Sequence, residues 1–223
     1  MEKEIKYKFP YWGPLVLEIK VDDDLIKILL EKGNESRKKN LDLRSKLAGH
    51  IDYEYYYEDY EKWFLPKFSK YVNCYLGEAL DYFHDPFHFL DVDIGKKIAL
   101  DWTLDSLWIN YQRQNEYNPP HNHTGHISFV IYLQVPKDIA RENELMEGVH
   151  NSEGPGTIVF NYGEKLPFNI SSNSKFPKTG DLFIFPGWLS HYVYAFKSKV
   201  ERISVSGNIK VLPTLTLNYP EDV

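Results

Sequence analysis

The chain has 223 residues, 43% of them hydrophobic and 16% aromatic, so it carries enough apolar surface for a packed core and is neither disordered nor fibrous. A formal net charge of −6 argues against a general electrostatic grip on nucleic acid, which needs local positive charge. Cys74, the one cysteine, excludes an intrachain disulfide and a cysteine zinc cluster; with no signal-like leader and no run long enough to span a membrane, the chain reads as soluble and cytoplasmic.

Two helices are legible in the first third. Asp22 and Asp23 precede Leu25, Ile26, Ile28, Leu29 and Leu30, and Gly33 follows as a stop. A second helix begins at Pro66 and places Phe68, Tyr71, Val72, Tyr75, Leu76, Ala79, Leu80 and Phe83 at three-and-four spacing. That stripe predicts one face laid against a broad apolar partner, with Cys74 off the stripe and inert. Between the helices, the basic stretch Lys32 to Lys46 and the acidic tyrosine run Asp52 to Glu61 read as a solvated connection rather than an active-site lid.

From residue 97 the texture turns to strands: KIALDWTLDSLWINYQ, HISFVIYLQVP, GTIVFNYG, DLFIFP and RISVSGNIKV, separated by segments rich in Gly, Pro, Asn and Ser. Short strands after N-terminal helices predict an α+β, mainly β chain, a sandwich or barrel with helices packed outside. The expected organisation is a single domain over 1–223, with helical support in 1–96, the β core in 97–211 and a tail in 212–223.

The chemistry gathers in two places. PPHNHTGH holds His121 and His123 two apart, a spacing that turns both to one face of an extended strand, whereas His126 would turn away. Such a pair is half of a metal site, or two histidines hydrogen-bonded in a turn. His50, His84, His88 and His150 have no metal-like neighbourhood. His191 follows an apolar strand and a Pro-Gly turn in GDLFIFPGWLSH, and Arg202 and Ser204 come soon after in ERISVSGN, on one strand face. An arginine on an interior strand calls for an anion, and its planar fork matches a carboxylate. The residues thus propose a histidine-held metal beside a carboxylate-bearing small molecule.

NYQRQNEYNPPHNHTGHISFVIYL and GDLFIFPGWLSHYVYAFKSKVERISVSGN, over about residues 98–211, resemble the Fe(II)- and 2-oxoglutarate-dependent oxygenases, in particular prolyl-hydroxylase-like members of bacteria and bacteriophages. The resemblance implies a double-stranded β-helix, or jelly roll. It implies His121, His123 and His191 as catalytic iron ligands, and Arg202 with Ser204 as anchor for the distal carboxylate of 2-oxoglutarate. Tyr111 and Tyr132 match cosubstrate-binding tyrosines, with ordinary core packing as the other reading, and Asn110 and Asn208 are supporting candidates. His123 stands where the usual triad has a carboxylate. The implied activity is hydroxylation with Fe(II), 2-oxoglutarate and O₂, on a peptide or protein prolyl residue or a small molecule, with no nucleic-acid or membrane partner. A cupin-type metalloenzyme is the alternative, although cupins follow H-x-H with a glutamate that is missing here; a non-catalytic jelly-roll binding module is another.

Overall fold

The computed structural model describes residues 13–83, 97–146 and 153–216. In chain order the elements are β1 (Leu17–Lys20), α1 (Asp23–Lys38), β2 (Glu54–Tyr56), α2 (Tyr60–Trp63), α3 (Leu65–Phe83), β3 (Lys97–Gln112), β4 (Asn118–His121), β5 (Ile127–Gln134), α4 (Lys137–Met146), β6 (Ile158–Asn161), β7 (Ser172–Lys175), β8 (Asp181–Pro186), β9 (Ser190–Val193) and β10 (Arg202–Thr216). The strands form two antiparallel sheets, a six-stranded one ordered β1-β8-β5-β10-β3-β2 and a four-stranded one ordered β4-β9-β6-β7. The fold is mainly β, a jelly roll carrying a few helices.

The large sheet has apolar chemistry on both faces, and residue parity separates the two. Along β5, Ile127, Phe129, Ile131 and Leu133 join a core with Leu25, Leu29, Phe68 and Val72 of the helices. The alternate residues Val130 and Tyr132 join Phe160 and Val193 of the small sheet, together with Phe183 and Phe185 of β8. A strand buried on both sides reads as an unbroken apolar run, which explains ISFVIYL. Phe68 of α3 meets Phe129 with ring centroids 4.4 Å apart. Its stripe neighbours Tyr71, Val72, Tyr75, Leu76 and Ala79 are buried as well, and Cys74 is exposed.

Several expectations change. Helix α1 runs through Gly33 to Lys38 instead of stopping there. Gly33 is buried because the helix approaches the sheet too closely for a side chain: a Cβ would collide with Ile109 and crowd the hydroxyls of Tyr57 and Tyr111. The acidic tyrosine run contains β2, an edge strand paired with β3, and buries Glu54, Tyr55 and Tyr57. Local charge concealed this, since pairing and burial arise from a strand more than fifty residues away in sequence. Residues before 97 thus supply two strands, β1 and β2, of the large sheet, and β10 continues to Thr216 beyond the expected core boundary at 211. The segment from Lys137 opens with α4. His84, His88 and His150 lie outside the described residues, and among those described no helix is long and apolar enough to cross a membrane.

Candidate active site

His121 ends β4 and stands directly opposite His191 of β9. His123 lies beyond the end of β4, in the turn that follows, so strand parity is not what makes it converge. Its backbone N–H donates to Gly187 O at 2.8 Å, and Gly187 N–H returns a bond to His126 O at 2.9 Å. These bonds lock the 121–126 turn onto the 186–189 turn and carry His123 back over the strand end. One ring nitrogen from each of His121, His123 and His191 lies within 4.8 Å of the others, and the ring centroids are 4.3 to 5.1 Å apart.

Tautomer and charge both suit ligation. His121 Nδ1 is 2.7 Å from Pro119 O and His191 Nδ1 is 2.9 Å from Leu189 O. A carbonyl only accepts, so each Nδ1 carries the proton and each Nε2 offers a lone pair. Burial, then neighbouring imidazoles, lower the pKa of His123 to about 4 and of His191 to about 3; burial lowers His121 as well. All three are neutral donors at pH 7. The ring of His126 is turned elsewhere, its Nδ1 accepting from Val211 N–H at 2.9 Å.

The same cavity is lined by Arg202, Ser204 and Tyr132, together with Trp108, Asn110, Gln112 and Asn118. Arg202 pairs in register with Gln112, and Ser204 with Asn110 and Tyr132. The buried guanidinium already has partners: Nη1 donates to Gly156 O at 2.7 Å, Nη2 donates to Gln112 Oε1, and Cζ lies 5.3 Å from the centre of the Tyr132 ring. Its Nε, wholly buried, has none. Asn110 Nδ2 reaches Ser204 Oγ at 3.4 Å. The free volume among these groups is about 40 Å³, close to one water's share.

Six of the seven residues singled out from the sequence therefore line one cavity. Tyr111 does not. It lies on the opposite face of β3, where Arg37 sits 4.4 Å from its ring centre and its hydroxyl reaches Asn34 Oδ1 at 3.5 Å. That face packs on α1, so Tyr111 is a core residue and the cosubstrate role implied by resemblance does not fit its position. Asn208 also turns aside, bonded to Ser128 Oγ at 2.9 Å and Ser106 Oγ at 3.3 Å. Sequence reasoning missed Gln112. Its signal was parity: Asn110 and Gln112 share a face of β3, the face opposite to that of Tyr111.

The donor set can hold a divalent ion, with three neutral imidazole nitrogens and no carboxylate, and the arginine fork beside it suits a carboxylate. Residues 106–208, which contain all seven residues, match the family model described as putative 2OG-Fe(II) oxygenase. No curated protein sequence matches the chain. Among solved structures, a viral collagen prolyl hydroxylase from Paramecium Bursaria Chlorella virus-1 is similar at 14% identity and a TM-score of 0.50, over 87% of this chain and 94% of that one. A prolyl-4-hydroxylase of Pseudomonas putida is similar at 13% identity and a TM-score of 0.51, over 87% and 91%. A 2OG-Fe(II) oxygenase-family oxidoreductase from Burkholderia pseudomallei matches at 16% identity over 49% of this chain and 45% of its own, with a TM-score of 0.36. The two prolyl hydroxylases share the fold, and the family model covers the strand residues that line the cavity. Over residues 106–208, the stretch that holds the three histidines and the Arg202–Ser204 pair, the chain is similar to the 2OG-Fe(II) oxygenase family, and over most of its length it shares the fold of the two prolyl hydroxylases.

Proposed function

We propose that the chain hydroxylates a peptide or protein substrate, with a prolyl residue as the first candidate. His121, His123 and His191 hold Fe(II), and Arg202, Ser204 and Tyr132 hold the distal carboxylate of 2-oxoglutarate. The observation that carries this reading is the placement of three neutral imidazoles and one buried arginine in a single cavity. When bound, Fe(II) with 2-oxoglutarate and O₂ supplies the oxidising power for insertion of oxygen into a C–H bond, while 2-oxoglutarate becomes succinate and CO₂. The likeness to two prolyl hydroxylases supports the prolyl candidate.

The chain's own residues orient and shield. Carbonyls of Pro119 and Leu189 fix two imidazoles in the ligating tautomer, and Phe160 and Phe185 pack within 6.1 and 4.7 Å of the His191 ring, keeping that side dry. Three neutral ligands leave a divalent ion's charge uncompensated, so a dianionic cosubstrate supplies what a carboxylate ligand otherwise would. To receive a carboxylate, Arg202 must exchange the amide oxygen of Gln112 for it, and the narrow cavity must widen around the ligand. A bidentate, charge-assisted pair then replaces a neutral bond.

Titration of the Mn(II)-loaded protein with 2-oxoglutarate tests the reading. Arg202→Ala is expected to weaken binding by roughly 30-fold or more, with Mn(II) affinity within about twofold of wild type. Arg202→Lys is a poor rescue because a point charge lacks the fork. A wild type that does not bind 2-oxoglutarate with metal present, or an alanine variant that binds as tightly, removes the proposal. The cupin alternative has no task for this arginine.

A further inference from the structure

Glu54 is 1% exposed, and its Oε2 has no hydrogen-bond partner. No ion pair engages it among the described residues. A carboxyl in that state is costly unless a partner arrives from outside the chain. Its register says where such a partner would sit. Glu54 of β2 is directly opposite Asn110 of β3, which is opposite Ser204 of β10, which is opposite Tyr132 of β5. The carboxyl thus ends a cross-strand row whose other members line the cavity of the three histidines. Asn110 is itself 6% exposed and has an unpartnered Oδ1, as does Asn118 across the cavity on β4. The backbone of Gly49 closes over Glu54 from the other side, since a Cβ there would come within 2.8 Å of Oε1.

Two unsatisfied amide oxygens that line the cavity, with an unpartnered carboxyl next in register to one of them, suit a ligand that is cationic and rich in N–H donors. We propose that Glu54, Asn110 and Asn118 form a subsite for the ammonium or guanidinium group of a basic residue in the primary substrate. This rests on reading the cavity as an oxygenase site and adds what that reading lacks, a recognition element for the substrate. Burial first, then Glu116 and Asp42 against Arg44, holds the Glu54 carboxyl at about 7, so an arriving cation meets an acid able to ionise on contact.

The probes are acetyl-Pro-Lys-amide, acetyl-Pro-norleucine-amide and their acetyl-Ala counterparts, titrated calorimetrically into anaerobic protein loaded with Mn(II) and 2-oxoglutarate. Wild type is expected to bind the lysine peptides roughly tenfold or more tightly than the norleucine ones. At pH 7 the lysine peptides should also release protons, read as a dependence of the binding enthalpy on buffer. Both signatures should vanish in Glu54→Gln. If that variant does not fold, Asn118→Leu should narrow the lysine preference. Equal affinity of lysine and norleucine peptides, no binding of the lysine peptides, or a preference that survives substitution overturns the inference. A discrimination of Pro from Ala tests the prolyl candidate alone, and failure of 2-oxoglutarate to bind strikes the oxygenase assignment instead.

Discussion

At the scale of single residues, burial does most of the chemical work. It keeps three imidazoles neutral, and it makes Arg202 and Glu54 expensive to hold without partners. Arg202 meets part of that cost with Gln112 Oε1 and Gly156 O, so the anion expected from the sequence is replaced by neutral acceptors from the chain itself. Glu54 has no comparable relief, and this has a consequence for stability. Its pKa rises from 4.5 to about 7 on folding, chiefly by desolvation. Below pH 4.5 the group is protonated whether the chain is folded or not, so it costs nothing. Between pH 4.5 and about 7 the unfolded chain ionises while the folded one keeps the proton, so stability falls by roughly 3 kcal/mol in all and levels off once the buried group itself ionises above 7. Relative to wild type, Glu54→Gln should therefore gain about 2–3 kcal/mol between pH 5 and pH 8 in urea unfolding. A difference between the two proteins that does not change with pH would show that Glu54 does not titrate in this window.

At the scale of elements, two turns decide the metal site. The 121–126 and 186–189 turns touch backbone to backbone at Gly125 and Gly187, where a Cβ on Gly187 would collide with Gly125 O. Neither side of that contact is a flexible side chain, so a methyl group must push the turns apart. Gly187→Ala is thus expected to break the bond from His123 N–H and lower Mn(II) affinity by about 10- to 100-fold, a range typical of lost support for a metal ligand. Electron paramagnetic resonance titration of free Mn(II) measures this directly; unchanged affinity would mean that the turn does not hold His123. Gly207 plays a related part on the helix-facing side of β10, where a Cβ would come within 2.6 Å of the Phe129 ring. It leaves room for the ring that contacts Phe64 and Phe68.

At the scale of the whole molecule, the functional cavity lies on the inner face of the large sheet, while the larger apolar core fills its outer face. Ligands therefore tie together strands from both sheets. Saturation to about a hundred times Kd adds roughly 2.7 kcal/mol per independent ligand, or about 5–10 °C in Tm for a chain of this size. Mn(II) with 2-oxoglutarate should raise Tm by that much or more, and a chelator should reverse the shift; no shift in scanning calorimetry would contradict binding to the native state. The sequence by itself made legible the strands β3, β5, β6, β8 and β10 and both N-terminal helices, and it picked out the three histidines and the Arg202–Ser204 pair as candidates, whereas β7 lies in a stretch that reads as a connection. Each legible feature is written in local periodicity, or in a residue type that is costly to bury without a purpose. Only the tertiary structure decided that Tyr111 faces α1, that β2 completes the sheet and that Gly33 is a point of close approach. It also decided that His123 is delivered by a turn, and that Gln112 and Glu54 belong beside the cavity. Those facts depend on strand register and on contacts between distant segments, which set the face and the partner of a side chain without leaving a mark in its immediate neighbours.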